Sequence, residues 1–116
     1  MVQGVTLSAL IYPVTDLAQA KTLFSKLLGI QPYFDQPYYV GFKVGDQEVG
    51  LDPHGHSKGM TAPVGYWQVN DITKSLQVLV DAGAQPQEKV KDVGGGKLIA
   101  TVRDPAGNVI GLVQVP

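Results

Sequence analysis

Few side chains in this sequence could do chemistry, and their spacing narrows what that chemistry would be. His54-Gly55-His56 offers two imidazoles, which titrate near neutrality and are common metal ligands. A metal site would need a third donor at ligand spacing or a helical His-Glu-x-x-His pattern, and neither accompanies them. They fall in Asp52 to Pro63, a stretch containing Gly, Pro, Ser and His without periodicity. The plain reading is a flexible connection, and the sharper one a general acid at a cavity rim. Gly94-Gly95-Gly96 before Lys97 invites an anion nest, but no helix pattern starts there and the P-loop pattern is absent, so a hairpin is expected. There is no cysteine and no Gly-x-Ser-x-Gly elbow, which removes disulfides, thiolate ligands and the usual nucleophilic triads. Tyr33, Phe34, Tyr38, Tyr39 and Phe42 form an aromatic cluster. Core packing and edge cover explain it most simply; a stacking wall for a ligand or a dimer contact is the alternative.

The elements that must position these residues occur twice. Val14-Thr15-Asp16-Leu17 opens a helical pattern closed by Leu28-Gly29, and Val69-Asn70-Asp71-Ile72 opens another closed by Ala82-Gly83. Asp16 and Asp71 are each suited to cap their helix, and Gln19 completes a capping-box-like start in the first. Leu17, Ala20, Leu23, Phe24, Leu27 and Leu28 recur at helical spacing, as do Ile72, Leu76 and Leu79. Strands are expected over 5–14, 33–35, 38–44 and 47–51, then over 64–69, 85–91, 97–103 and 109–114. Asp104-Pro105-Ala106-Gly107-Asn108 supplies a strong turn. Gly45 to Leu51 is echoed by Gly107 to Leu112, so each half reads βαβββ. Each half is too small to bury its own apolar face, so the two should form one pseudo-symmetric domain over 1–116. Its modules lie near 1–52 and 64–116, with a connection near 53–63.

Composition agrees with a single domain. The 116 residues are 44% hydrophobic with a net charge of −1, so a core is affordable and no footprint for nucleic acid or an anionic membrane is present. No basic, apolar leader and no spanning stretch is read, so a cytoplasmic location is expected.

The paired βαβββ modules, the Val-x-Asp-Leu and Val-x-Asp-Ile junctions, and above all Arg103-Asp104-Pro105-Ala106-Gly107-Asn108-Val109-Ile110 resemble the vicinal oxygen chelate superfamily of glyoxalases, extradiol dioxygenases and bleomycin resistance proteins. The resemblance spans nearly the whole chain. It implies an α+β fold in which two βαβββ modules form a pseudo-symmetric curved-sheet barrel around a cavity. Members often hold a divalent metal through His, Gln or Glu on four strands. The matching positions here are Ala9, Gly50, Val64 and Gly111, and none has a donor side chain. A resident metal and metal-dependent chemistry are therefore disfavoured, and no cofactor is expected.

Strand alternation adds neighbours to those four positions. Ile11 shares a face with Ala9, Glu48 and Asp52 with Gly50, and Tyr66 and Gln68 with Val64. Ala9, Ile11, Glu48, Gly50, Asp52, Val64, Tyr66, Gln68 and Gly111 are accordingly the candidate ligand-binding set, with the two glycines leaving room for a flat ligand to approach the backbone. The expected function is metal-free binding of a small, partly aromatic organic molecule between the modules. A lyase or isomerase using a carboxylate, a loop histidine or a metal recruited elsewhere is the alternative, and a structural partner with a vestigial cavity is a third class. A homodimer is expected, because a two-module chain leaves sheet edges and aromatics to cover.

Overall fold

The computed structural model describes residues 1–116. The elements run β1 (Thr6–Pro13), α1 (Leu17–Leu28), β2 (Phe34–Gln36), β3 (Tyr39–Val44), β4 (Gln47–Asp52), β5 (Val64–Gln68), α2 (Ile72–Asp81), β6 (Gln85–Asp92), β7 (Leu98–Arg103) and β8 (Val109–Gln114). This is βαβββ twice, an α+β fold. The chain divides into two compact units, Ala9–Val64 and a second made of Met1–Ser8 with Gly65–Pro116. The first eight residues thus belong with the second half rather than the first. The reason is apolar: Val2 packs against the core that contains Val69 and Ile72.

In the first unit β1 runs parallel to β4, and β4 and β2 each pair antiparallel with β3. Asp16 accepts a hydrogen bond from the Gln19 amide at 3.0 Å, satisfying one of the orphan donors at the start of α1. Gly29 ends the helix in the left-handed region (φ 71°), its N–H reaching the Ser25 carbonyl at 2.9 Å. One stripe of α1, Leu17, Ala20, Phe24 and Leu28, packs on Val40, Phe42 and Leu51, all three fully buried. Period two then fixes the other face of the sheet. With Val40 and Phe42 turned to the helix, Tyr39, Gly41 and Lys43 must face away from it, and with Val49 and Leu51 turned inward so must Glu48, Gly50 and Asp52.

In the second unit β5 is parallel to β8, and β7 pairs antiparallel with both β8 and β6. Asp71 caps α2 through the Lys74 amide at 3.0 Å, and Gln114 Oε1 accepts from the Ile72 amide at 2.8 Å. The core is Val69, Ile72, Ala100 and Leu112, with Leu76 and Leu79 of α2 packed on it. The pairing of β6 with β7 slips twice, between Pro86 and Glu88 and between Glu88 and Lys91. At the slip the Glu88 amide turns to the hydroxyl of buried Thr101, at 3.1 Å. Asp104 closes the last turn, its carboxylate accepting from Asn108 N at 2.8 Å and Nδ2 at 2.9 Å. Those bonds from Asn108 hold its carboxyl below the usual carboxylate range.

Candidate functional site

The first unit gathers five of the sequence-derived candidates on the face of its sheet opposite α1. Ala9 is the register partner of Glu48, Ile11 of Gly50, and Pro13 of Asp52. Parallel partners share a face, so Ala9, Ile11, Glu48, Gly50 and Asp52 lie together. The second unit brings Tyr66 beside Gly111 and Gln68 beside Val113. Val64 opens β5 and is buried.

The centre of the first unit's face is a half-buried carboxylate gripped by two phenols. Tyr33 Oη donates to Glu48 Oε1 and Tyr39 Oη donates to Oε2. Tyr39 reaches it because it sits on β3 two residues before Gly41, the partner of Gly50 on β4. Tyr33 reaches it because its backbone extends the pairing of β2 with β3, its amide donating to the Gly41 carbonyl at 3.0 Å. Lys43 is the register partner of Glu48, yet its ammonium lies over the Tyr33 ring, 4.8 Å from the centroid. The ion pairs of the molecule are Lys21–Asp35, Lys58–Asp52 and Lys91–Glu88, so Glu48 belongs to none of them and is held by neutral donors.

Burial first, and the hydrogen bond to Glu48 second, push the Tyr33 hydroxyl from 10.0 up to about 12, and the same causes raise Tyr39 further. Both phenols are therefore neutral donors at physiological pH and neither is a base. A raised native pKa leaves stability unaffected below the unfolded value of 10.0, and stability then falls as pH rises toward about 12, because the unfolded chain loses its proton first. Thermal denaturation followed from pH 9 to 12 should show that decline, and Tyr33→Phe with Tyr39→Phe should flatten it relative to the parent.

The two glycines expected to leave an open floor do something else. A Cβ built on Gly50 would collide with the Tyr39 hydroxyl and lie 2.6 Å from Cζ of that ring and 2.7 Å from Ile11 Cδ1. One on Gly111 would lie 2.5 Å from Tyr66 Cδ1. Gly41 is similarly covered, its Cβ position 3.0 Å from Tyr33 Cε1 and 3.3 Å from Tyr39 Cε2. These glycines seat tyrosines against bare backbone. Alternation could have drawn Tyr39 into the candidate set, since Tyr39, Gly41 and Lys43 share a face; Tyr33 precedes its strand and only the pairing with Gly41 of β3 places it.

Asp52 is buried and already committed. Its Oδ1 accepts from the His54 amide at 2.8 Å and Oδ2 pairs with Lys58 Nζ at 2.9 Å. Its carbonyl accepts from Val14 at 3.0 Å and Gly55 at 3.2 Å. The connection is thus a tied turn with a short 3-10 segment, His56–Lys58, where the sequence suggests a loose linker. Gly55 is required there, since a Cβ would stand 2.6 Å from Pro13 Cβ. His54 and His56 are exposed on this turn.

A separate groove of about 310 Å³ lies within the second unit, lined by Val2, Gln3, Asn70, Asp71, Lys74 and Ser75 among others. It borders the start of α2, but Asp71 and Gln114 already occupy two of the donors there.

A family model described as the Glyoxalase/Bleomycin resistance protein/Dioxygenase superfamily matches residues 6–112. The chain belongs to that superfamily. No curated protein matches it. Solved structures share its fold at low identity. A hypothetical protein from Bacillus halodurans is 12% identical, with a TM-score of 0.77 over 98% of this chain and 96% of that one. A superfamily member from Vibrio splendidus is 17% identical, with a TM-score of 0.73 over 95% and 100%. Methylmalonyl-CoA epimerase from Mycobacterium tuberculosis is 17% identical, with a TM-score of 0.66 over 99% and 90%.

The divalent metal of many superfamily members does not fit the residues present here. Ala9, Gly50, Val64 and Gly111 offer no donor, and the space a longer side chain would need at Gly50 and Gly111 is taken by Tyr39 and Tyr66. Elsewhere in the chain no group of three or more His, Asp or Glu is placed to hold a metal ion.

Proposed function

We propose that this superfamily member binds a small, partly aromatic organic molecule without a resident metal, and that Glu48 on the helix-free face of the first unit is the polar anchor of the site. The observation that carries the reading is the Tyr33–Glu48–Tyr39 constellation. A carboxylate fixed by two hydroxyls is preorganised, so little orientation entropy is left to lose when a ligand donates to its remaining lone pairs. Phe34 lies 6.5 Å from the Tyr33 ring and 6.1 Å from the Tyr39 ring, with Tyr38 6.0 Å beyond it, so the two phenols that hold Glu48 continue into apolar aromatic area. Few polar groups converging among aromatic surface is the usual composition of a small-molecule site.

The reading is supported by binding chemistry rather than by a catalytic set. Both phenols are held protonated, and Asp52, the other carboxylate of that face in the candidate set, is paired with Lys58. A thermal-shift screen of small aromatics is the test. A ligand that binds only the folded chain raises its melting temperature, and at a hundred times its dissociation constant the stabilisation is about 2.7 kcal/mol. Glu48→Ala and Tyr39→Ala should each lower the affinity of such a ligand by about tenfold or more in calorimetry, while both variants stay folded by circular dichroism. Hits whose affinity is unchanged in both variants would show that Glu48 is not the anchor.

A further inference from the structure

Resting on that reading, we infer that the ligand of this site presents a protonated nitrogen, an amine or amidine on a flat apolar body, to the Glu48 carboxylate. The starting point is the charge arrangement. Glu48 is half-buried, its two hydrogen-bond partners are neutral phenols, and it belongs to none of the three ion pairs. The one cation on the neighbouring strand position, Lys43, is turned onto the Tyr33 ring instead, and its side chain is exposed. Each carboxylate oxygen keeps a lone pair after accepting from its tyrosine. An anion in that state gains most from a charged donor, because charge-assisted hydrogen bonds are about twice as strong as neutral ones.

The surroundings specify the rest of the ligand. Tyr33 and Tyr39 are laid against the bare backbone at Gly41 and Gly50, which leaves Tyr33 53% exposed to a partner above the sheet. Lys43 already takes the Tyr33 ring, so a ligand cation is drawn by the carboxylate rather than by that ring face. An anionic ligand would meet repulsion from Glu48, and the phenol hydrogens that could have served it are already given to the carboxylate. A neutral alcohol would form the contact without the charge.

The test uses three probes with the same ring and different charge, benzylamine, benzyl alcohol and benzoate, titrated into the full chain with amide resonances read by NMR. Benzylamine should bind about tenfold or more tightly than benzyl alcohol, with the largest shifts at Gly41 and Gly50, and benzoate should bind more weakly than either. Glu48→Gln keeps the volume and one acceptor but removes the charge; it should bring benzylamine to within about twofold of benzyl alcohol. Equal affinity of the amine and the alcohol for the parent chain, or an amine preference that survives in Glu48→Gln, overturns the cationic assignment while leaving small-molecule binding intact. Failure of all three probes to shift this face at millimolar concentration overturns both the assignment and the reading on which it rests.

Discussion

Phe42→Ala is expected to cost about 3–5 kcal/mol, the largest effect of any single truncation in the first unit. Phe42 is fully buried, meets Phe24 of α1 at a centroid distance of 6.4 Å, and lies in the cluster that joins the helix to the sheet. Truncation removes the transfer energy of the ring and leaves a cavity whose walls, Val40 and Leu51, belong to strands and close only partly. Against a typical domain stability of about 5–15 kcal/mol, the melting temperature should fall by roughly 10–20 °C. Leu27→Ala is the matched control. Leu27 is 75% exposed on the far side of α1, and its truncation should move stability by no more than about 0.5 kcal/mol. Urea unfolding of the two variants checks the contrast; similar losses in both would contradict the stated packing of α1.

Gly50→Leu should be the most damaging change on the opposite face, at about 2–4 kcal/mol. The new side chain needs the volume now held by Tyr39 and Ile11, so overpacking at about 1–3 kcal/mol adds to the loss of the Tyr39 hydrogen bond to a charged group. The diagnostic measurement is a double-mutant cycle with Tyr39→Ala. Removing the ring clears the space that Leu needs, so the double variant should be more stable than the sum of the single effects by at least about 1 kcal/mol. Additivity within about 0.5 kcal/mol would mean that Tyr39 does not rest on Gly50.

The same face shows how far sequence reasoning reaches. Alternation placed Ala9, Ile11, Glu48, Gly50 and Asp52 together because period two is a property of extended backbone and survives ignorance of everything else. The helices were legible for a similar reason: Asp16 and Asp71 announce their starts, and each does cap the third amide beyond it. What fills the space above a glycine depends instead on a neighbouring strand, and Tyr39 reaches Gly50 through the register of the β3–β4 hairpin, which alternation within one strand does not give. The turn at 53–59 was hidden likewise. Its composition looks loose, but Asp52 supplies both an Asx-type acceptor for His54 and an ion pair for Lys58. Sheet edges, the motive for expecting a twofold partner, are also less open than the sequence suggests. Strand β2 has three residues, and β6 carries Glu88, Lys89, Lys91 and Asp92 along with two register slips.

Binding of a small molecule at Glu48, between Tyr33 and Tyr39 on the face of the first unit's sheet away from α1, is the proposal on which the rest depends. The most direct measurement is an amide map: uniformly nitrogen-labelled chain titrated with the best thermal-shift ligand, every backbone resonance followed to saturation. The largest shifts should fall on Tyr39, Gly41, Glu48 and Gly50 and disappear in Glu48→Ala. Shifts confined to Asn70, Lys74 and Ser75 would place the ligand in the groove beside α2 and contradict it.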